Sequence, residues 1–112
     1  MKIAISSSGQ DLKGDVAEVF GRCPYFILAE IANEKITKTE AIENKDKDQM
    51  SGVGVITAKL MAEHDVEAVI TGNVGPRALD VLKQFKIKAY AGSGPIENVI
   101  EKFIKGELKE IN

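Results

Sequence analysis

The chain has one cysteine, no tryptophan, three prolines and one histidine among its 112 residues. A single cysteine cannot close an intramolecular disulfide, so packing alone must hold the core. Nor can it hold a zinc ion or an iron–sulfur cluster in a closed site, which takes about four protein ligands. No apolar run approaches the roughly 20 residues of a membrane-spanning helix. The opening Met1-Lys2-Ile3-Ala4-Ile5-Ser6 turns polar too soon for the apolar region of a signal peptide. There is no basic block, and a net charge of −2 with a pI near 5.4 argues against nucleic acid as a partner. GxGxxG and GxxxxGK[ST] are both missing, which excludes the familiar dinucleotide and P-loop sites. The strands offer no set of inward carboxylates for two-metal nuclease chemistry, and no Ser-His-Asp set is visible. These absences leave one small cytoplasmic domain over residues 1–112, with no nucleotide, nucleic acid or membrane to bind.

What is present is an alternation of strand and helix signals. Lys2–Ser6 reads as a buried strand ending in the polar turn Ser6-Ser7-Ser8-Gly9-Gln10. Asp15 and Glu18 stand in capping-box spacing ahead of a short helix that stops at Gly21. Tyr25–Ala32 and Ile36–Ile42 are β-rich runs joined across Asn33-Glu34-Lys35, which predicts an antiparallel hairpin. The mixed-charge stretch Glu43–Gln49 reads as a solvated connection. Ser51 is placed to cap a helix over 52–63 with Val53, Ile56 and Leu60 on one face. Glu67–Thr71 is a strand, and Pro76 suits the first turn of a helix carrying Leu79, Leu82 and Phe85. After the strand Lys88–Ala91, Ile96, Val99, Ile100, Phe103 and Ile104 mark the clearest helical period, with Gly106 as its stop. The order predicts a three-layer α/β/α sandwich around a mixed sheet of about five strands, one of them antiparallel.

In such sheets ligands bind beyond the carboxyl ends of the parallel strands. Ser6–Gln10, Gly72–Gly75 and Gly92–Gly94 leave those ends and contain Gly9, Gly72, Gly75, Gly92 and Gly94. Glycine there serves either a tight turn or the close approach of backbone N–H groups to an anion. The last two loops feed helix N-termini, where an anion is favoured. Thirteen lysines stand against two arginines, Arg22 and Arg77, both in glycine-punctuated segments. A guanidinium fork suits a multi-oxygen anion, although a structural ion pair is the alternative for each. Cys23 follows Arg22, whose charge would favour the thiolate needed for metal ligation. Its other reading is a buried, inert thiol. His64 closes the second helix, where a cation complements the helix C-terminus, at the edge away from the glycine loops.

The segments Lys2-Ile3-Ala4-Ile5, Val19-Phe20-Gly21-Arg22-Cys23-Pro24-Tyr25-Phe26 and Gly72-Asn73-Val74-Gly75-Pro76-Arg77-Ala78 together resemble the dinitrogenase iron–molybdenum cofactor biosynthesis family. The likeness is to its short stand-alone members rather than to nitrogenase accessory factors with extra domains. The resemblance implies a ribonuclease-H-like fold without nuclease activity. It implies a non-catalytic carrier of an anionic metal–sulfur cluster, iron–sulfur or iron–molybdenum in type, bound transiently as a cofactor or its precursor. By position the binding residues are Ser7, Ser8, Gly9, Arg22, Cys23, Gly72, Asn73, Gly75, Gly92, Ser93 and Gly94, with Cys23 as the metal ligand. An ATP-dependent iron–sulfur scaffold protein is the implied partner, and the chain is expected as a monomer or weak homodimer. The competing reading is a small-anion or metabolite-binding regulatory module without metal. A third, Cys23 as an enzymatic nucleophile, lacks a base to activate it.

Overall fold

A computed structural model describes residues 1–48 and 51–111. Gln49, the last residue of the mixed-charge connection, lies outside them. In chain order the elements are β1 (Lys2–Ser7), β2 (Tyr25–Ala32), β3 (Lys35–Glu43), α1 (Val53–Glu63), β4 (Ala68–Thr71), α2 (Pro76–Gln84), β5 (Lys88–Ala91), α3 (Ile96–Ile104) and β6 (Lys109–Glu110). They form a six-stranded open sheet in the order β3-β2-β1-β4-β5-β6. β1, β4 and β5 are parallel, β2 is antiparallel to both its neighbours, and β6 is antiparallel to β5. The expected sandwich is correct in class, but it has six strands rather than about five and two reversed strands rather than one. The addition is β6, whose two residues pair with Tyr90 and Ala91.

Each face of the sheet is covered by helices whose apolar residues meet alternate strand positions. Ala4, Phe26, Leu28, Val69 and Ala89 point to one side, where α1 brings Ala58 and Met61 and α2 brings Ala78, Leu79 and Leu82. Ile3, Ile5, Ile27, Ala29, Ala68 and Ile70 point to the other, against Ile96, Val99 and Ile100 of α3. This period-two division of β1, β2 and β4 fixes their register, since a slip of one residue would exchange the faces. The hairpin turn holds Asn33 and Glu34 at φ 53 and 63, the paired positive values a two-residue turn between twisted strands requires.

Two local expectations fail for identifiable reasons. Residues 15–21 form no helix. Instead 15–19 lie extended across the strand ends, with Ser7 bridged to Val16, Asp15 to Pro95 and Val19 to Asn73, and a turn follows. Ser51 does not cap α1: the cap residue is Gly52 at φ 73, and no side chain caps the helix start. The buried row of α1 is Val53, Thr57, Ala58 and Met61, while Ile56 and Leu60 are half-buried. Thr57 enters the core because its hydroxyl donates to the Val53 carbonyl at 2.7 Å. Phe85 closes α2 and is half exposed rather than packed with Leu79 and Leu82.

Candidate functional site

The carboxyl ends of β1, β4 and β5 are crossed by residues 14–20, a strap held by backbone hydrogen bonds. Ala17 N–H donates to the Ser6 carbonyl at 2.8 Å, and Gly72 N–H donates to the Ala17 carbonyl at 3.3 Å. Val16 N–H reaches the Gly94 carbonyl at 2.9 Å, and Phe20 N–H reaches that of Asn73 at 3.1 Å. Beneath the strap, Ser6 Oγ lies 2.7 Å from Thr71 Oγ1, and both hydroxyls reach the Ala17 carbonyl, at 2.8 and 3.4 Å. The strap fills the crevice where an open α/β sheet ordinarily binds its ligand, and it leaves a groove on each side.

The first groove, about 520 Å³, lies on the α1–α2 side between three pieces of backbone. One is the turn Val19–Arg22, another the start of α1 from Gly52 to Val55, and the last the run Asn73–Ala78 that opens α2. They are in close contact: a Cβ on Gly21 would stand 3.1 Å from Gly54 N, and one on Gly54 would stand 3.0 Å from Ala78 Cβ. Two helix N-termini therefore start side by side. Neither carries a side-chain cap, and neither has an acidic residue in its first turn. Such ends present N–H groups without intrahelical partners and a partial positive charge. Both arginines of the chain, Arg22 and Arg77, line this groove and are exposed. Among the described residues Arg77 makes no ion pair. The groove has an apolar component as well, in Val19, Val55, Pro76 and Ala78.

Arg22 is presented by a turn pinned on both sides. Phe20 is buried and packs edge to face on Phe26, with ring centroids 5.6 Å apart. Asn44, 1% exposed, donates from Nδ2 to the carbonyls of Gly21 and Cys23, at 3.0 and 2.9 Å. Arg22 Nη1 donates to the Lys47 carbonyl at 2.9 Å. The mixed-charge connection is thus more than a solvated link, since its first residue after β3 holds the turn. Sequence reasoning missed Asn44 and the start of α1. The available signal was an uncharged polar residue amid charges and a Gly-x-Gly run ahead of a helix.

Cys23 faces inward. Its side chain belongs to the core and is 2% exposed, with Sγ 3.4 Å from the Phe20 carbonyl. Burial pushes the thiol pKa from 9.0 up to about 11, against the opposing hydrogen bonds of the Ser7 backbone and the Asn44 side chain. The folded chain therefore keeps a proton that the unfolded chain releases from about pH 9 upward. This contribution, at most about 3 kcal/mol, is complete below pH 9 and is lost as pH rises through about 11. The stability advantage of the wild type over Cys23→Ala should accordingly narrow from pH 9 to pH 11 in urea titrations. A constant difference would mean that the thiol titrates in the fold as it does in the open chain.

The remaining residues expected at the site are dispersed. Asn73 and Gly75 join Arg22 at the first groove. Gly72, Gly92 and Ser93 line the second, about 530 Å³, on the far side of the strap with Val16, Glu18 and Ala91. Ser7 and Ser8 serve their own turns: Ser7 Oγ donates to the Gly9 carbonyl at 2.7 Å, and Ser8 Oγ accepts from Asp15 N–H at 3.2 Å. Gly94 supports the strap from φ 87. His64 caps the far end of α1, where its carbonyl accepts from Lys2 Nζ. No group of three or more His, Cys, Asp or Glu side chains able to hold a metal ion occurs among the described residues.

What fold and groove define is a small α/β domain with a positively charged groove at the carboxyl edge of its parallel strands. The family model described as dinitrogenase iron–molybdenum cofactor matches residues 1–106, and the chain belongs to that family. It is 39% identical over 111 residues to an uncharacterised protein of Methanocaldococcus jannaschii, covering 98% of this chain and 91% of that one. Among solved structures it is similar to the apo form of the orange protein of Desulfovibrio gigas, with TM-score 0.91 and 26% identity over 98% of this chain and 92% of that one. A Thermotoga protein provisionally assigned as NifB matches with TM-score 0.82 and 32% identity, covering 97% and 91%. No helix of the described residues is long and apolar enough to cross a membrane.

Proposed function

We propose that the protein is a non-catalytic carrier that holds an anionic metal–sulfur cluster, or a precursor of one, in the groove between Arg22 and Arg77. The observation that carries this reading is the meeting of the chain's two arginines with two uncapped helix N-termini in one groove. Guanidinium and backbone N–H groups supply charge-assisted hydrogen bonds to the anion. Val19, Pro76 and Ala78 supply a dry wall for sulfide faces, which are weakly hydrated. With no cluster of metal ligands among the described residues, the cargo brings its own sulfide or thiolate ligands and is held as a preformed anion. Ligation by Cys23 requires the Phe20–Cys23 turn to open, because the thiol lies under it. Gly72, Gly92 and Ser93 contact only a cargo large enough to reach over the strap. The family match and the sheet with its leading antiparallel hairpin also support the ribonuclease-H-like kinship. In this reading the protein works in the cytoplasm, receives its cargo from an ATP-dependent iron–sulfur scaffold and hands it on without chemistry.

The burial of Cys23 favours a second reading, a regulatory module that binds a small anion or metabolite without metal. One set of proteins separates the two. Wild type, Cys23→Ser and Arg22→Ala/Arg77→Ala are purified without oxygen and mixed with iron and sulfide as a preassembled thiolate-ligated cluster. Under the carrier reading the wild type retains iron and sulfide in equal amounts with a charge-transfer band. The double arginine variant binds at least about 30-fold more weakly, as expected for two lost charge-assisted contacts. If no protein retains the cluster while inorganic phosphate or a dicarboxylate raises the melting temperature of wild type and Cys23→Ser alike, the anion module replaces the carrier.

A further inference from the structure

β3 is nine residues long, forms an edge of the sheet and is exposed at every position but Ile42, which is half-buried. A strand of this length leaves a row of unpaired N–H and C=O groups open to another strand, a hazard that proteins usually blunt with charges or bulges. β3 has both: Lys35, Lys38, Glu40 and Glu43, and an extra residue, Thr37, where the pairing steps from Glu30–Lys38 to Ile31–Ile36. The charges are nonetheless arranged so that the strand complements itself.

We infer that β3 pairs antiparallel with β3 of a second copy across a two-fold axis at Thr39, joining the two sheets into one. A two-fold axis normal to the sheet keeps each residue on its own face, so opposite residues must be of equal parity along the regular part of the strand. Centred on Thr39, that pairing places Lys38 against Glu40 of the second copy and Glu40 against its Lys38. Centring on Lys38 or Glu40 opposes like charges at the axis, and centring on Ala41 sets Glu40 against Ile42. Thr39 is the centre in this stretch that matches opposite charges, so the charges which repel other registers select this one.

Beyond the two central charge pairs this register covers Ile36, while Lys35 comes opposite Ile42 at the end of the pairing. Ile36, Thr39 and Ala41 pair with Ile31, Ala29 and Ile27, three alternate residues of β2, and therefore share one sheet face. With Thr37 taken up by the bulge, Ile36 comes to rest against Ala41 of the second copy. Ile36, 37% exposed, is one of the few large apolar side chains left open to water, and this pairing covers it. The interface is a single strand with its flanking side chains, at the low end of stable interface size, so the dimer is weak and forms at high protein concentration. Because the axis reverses strand direction, the arginine grooves of the two copies open at opposite ends of the joined sheet, and each copy carries its cargo alone.

Sedimentation equilibrium from 10 µM to 1 mM tests this on wild type, Glu40→Lys and Lys38→Glu/Glu40→Lys, with circular dichroism to verify folding. Glu40 stands opposite Leu28 within its own chain and makes no ion pair among the described residues, so its reversal breaks none there. Wild type should dimerise within this range. Glu40→Lys sets two pairs of like charges across the axis and should weaken the dimer about tenfold or more. The double variant restores opposite charges and should return the constant to near the wild-type value. A wild type that stays monomeric at 1 mM overturns the inference. So does a Glu40→Lys protein that dimerises as wild type does, or a double variant that remains as weak as the single one.

Discussion

Replacing Asn44 by alanine is expected to lower the unfolding free energy by about 3 kcal/mol and the melting temperature by roughly 10–15 °C. The Nδ2 group of Asn44 satisfies two buried carbonyls at once, Gly21 at 3.0 Å and Cys23 at 2.9 Å. Its own backbone N–H donates to the Pro24 carbonyl at 2.9 Å. Alanine retains the backbone bond and strands both side-chain-bonded carbonyls in a region closed to water. An acceptor left unsatisfied in the interior costs about 1–3 kcal/mol, more than a hydrogen bond contributes on average. Differential scanning calorimetry measures the shift. The change has a second consequence at the groove, because the two carbonyls flank Arg22. A loosened turn no longer fixes the guanidinium opposite Arg77, so anion binding should fall in the folded variant well below its own melting temperature. A shift under about 4 °C would show that water reaches these carbonyls and that Phe20 alone anchors the turn.

Elements whose pattern is local were legible in the sequence. β2 runs from Tyr25 to Ala32, as its alternation and the following turn predict, and Pro76 opens α2. The apolar period of α3 names its buried residues, Ile96, Val99 and Ile100. What could not be read is whatever depends on a partner far along the chain. Asp15 and Glu18 carry the spacing of a helix start, yet this backbone finds its hydrogen bonds at Ser6, Gly72 and Gly94 instead. Two residues of β6 are too few to show a period. At the site, the scarcity of guanidinium in the chain singled out both arginines, and the fold brings them to one groove. Cys23 stood next to a cation in sequence and reads equally well as a ligand or as a core residue. The direction in which it points is set by packing against Phe20 and Phe26, which only the fold supplies. The glycines were ambiguous for the same reason, since a residue needed beneath a ligand and one needed beneath a crossing chain look alike.

That ambiguity has a direct test in Gly72→Ala set beside Gly75→Ala. A Cβ on Gly72 would lie 2.7 Å from the Glu18 carbonyl oxygen and 2.8 Å from Glu18 Cα, both backbone atoms of the strap. No rotamer change relieves that overlap, so the strap itself must move. Moving it disturbs the Ala17 carbonyl, which accepts from Gly72 N–H and is reached by the buried hydroxyls of Ser6 and Thr71. Overpacking costs about 1–3 kcal/mol, and the displaced polar contacts add to it. Gly72→Ala should therefore lose about 3–4 kcal/mol, or roughly 12–16 °C in melting temperature. Gly75 has φ −66, open to any residue, and no atom within 4 Å of an added Cβ. Gly75→Ala should change stability by less than about 0.5 kcal/mol, as at other unencumbered surface positions. Its methyl group projects at the groove where α2 begins, so its effect should be felt in anion affinity instead. A large stability loss at Gly72 with unchanged stability and weakened binding at Gly75 would assign the two glycines of one loop to different tasks, the first to the crossing strap and the second to the cargo. Equal and small stability changes would mean that the strap slides freely over β4, and the crevice beneath it would then be open to ligand.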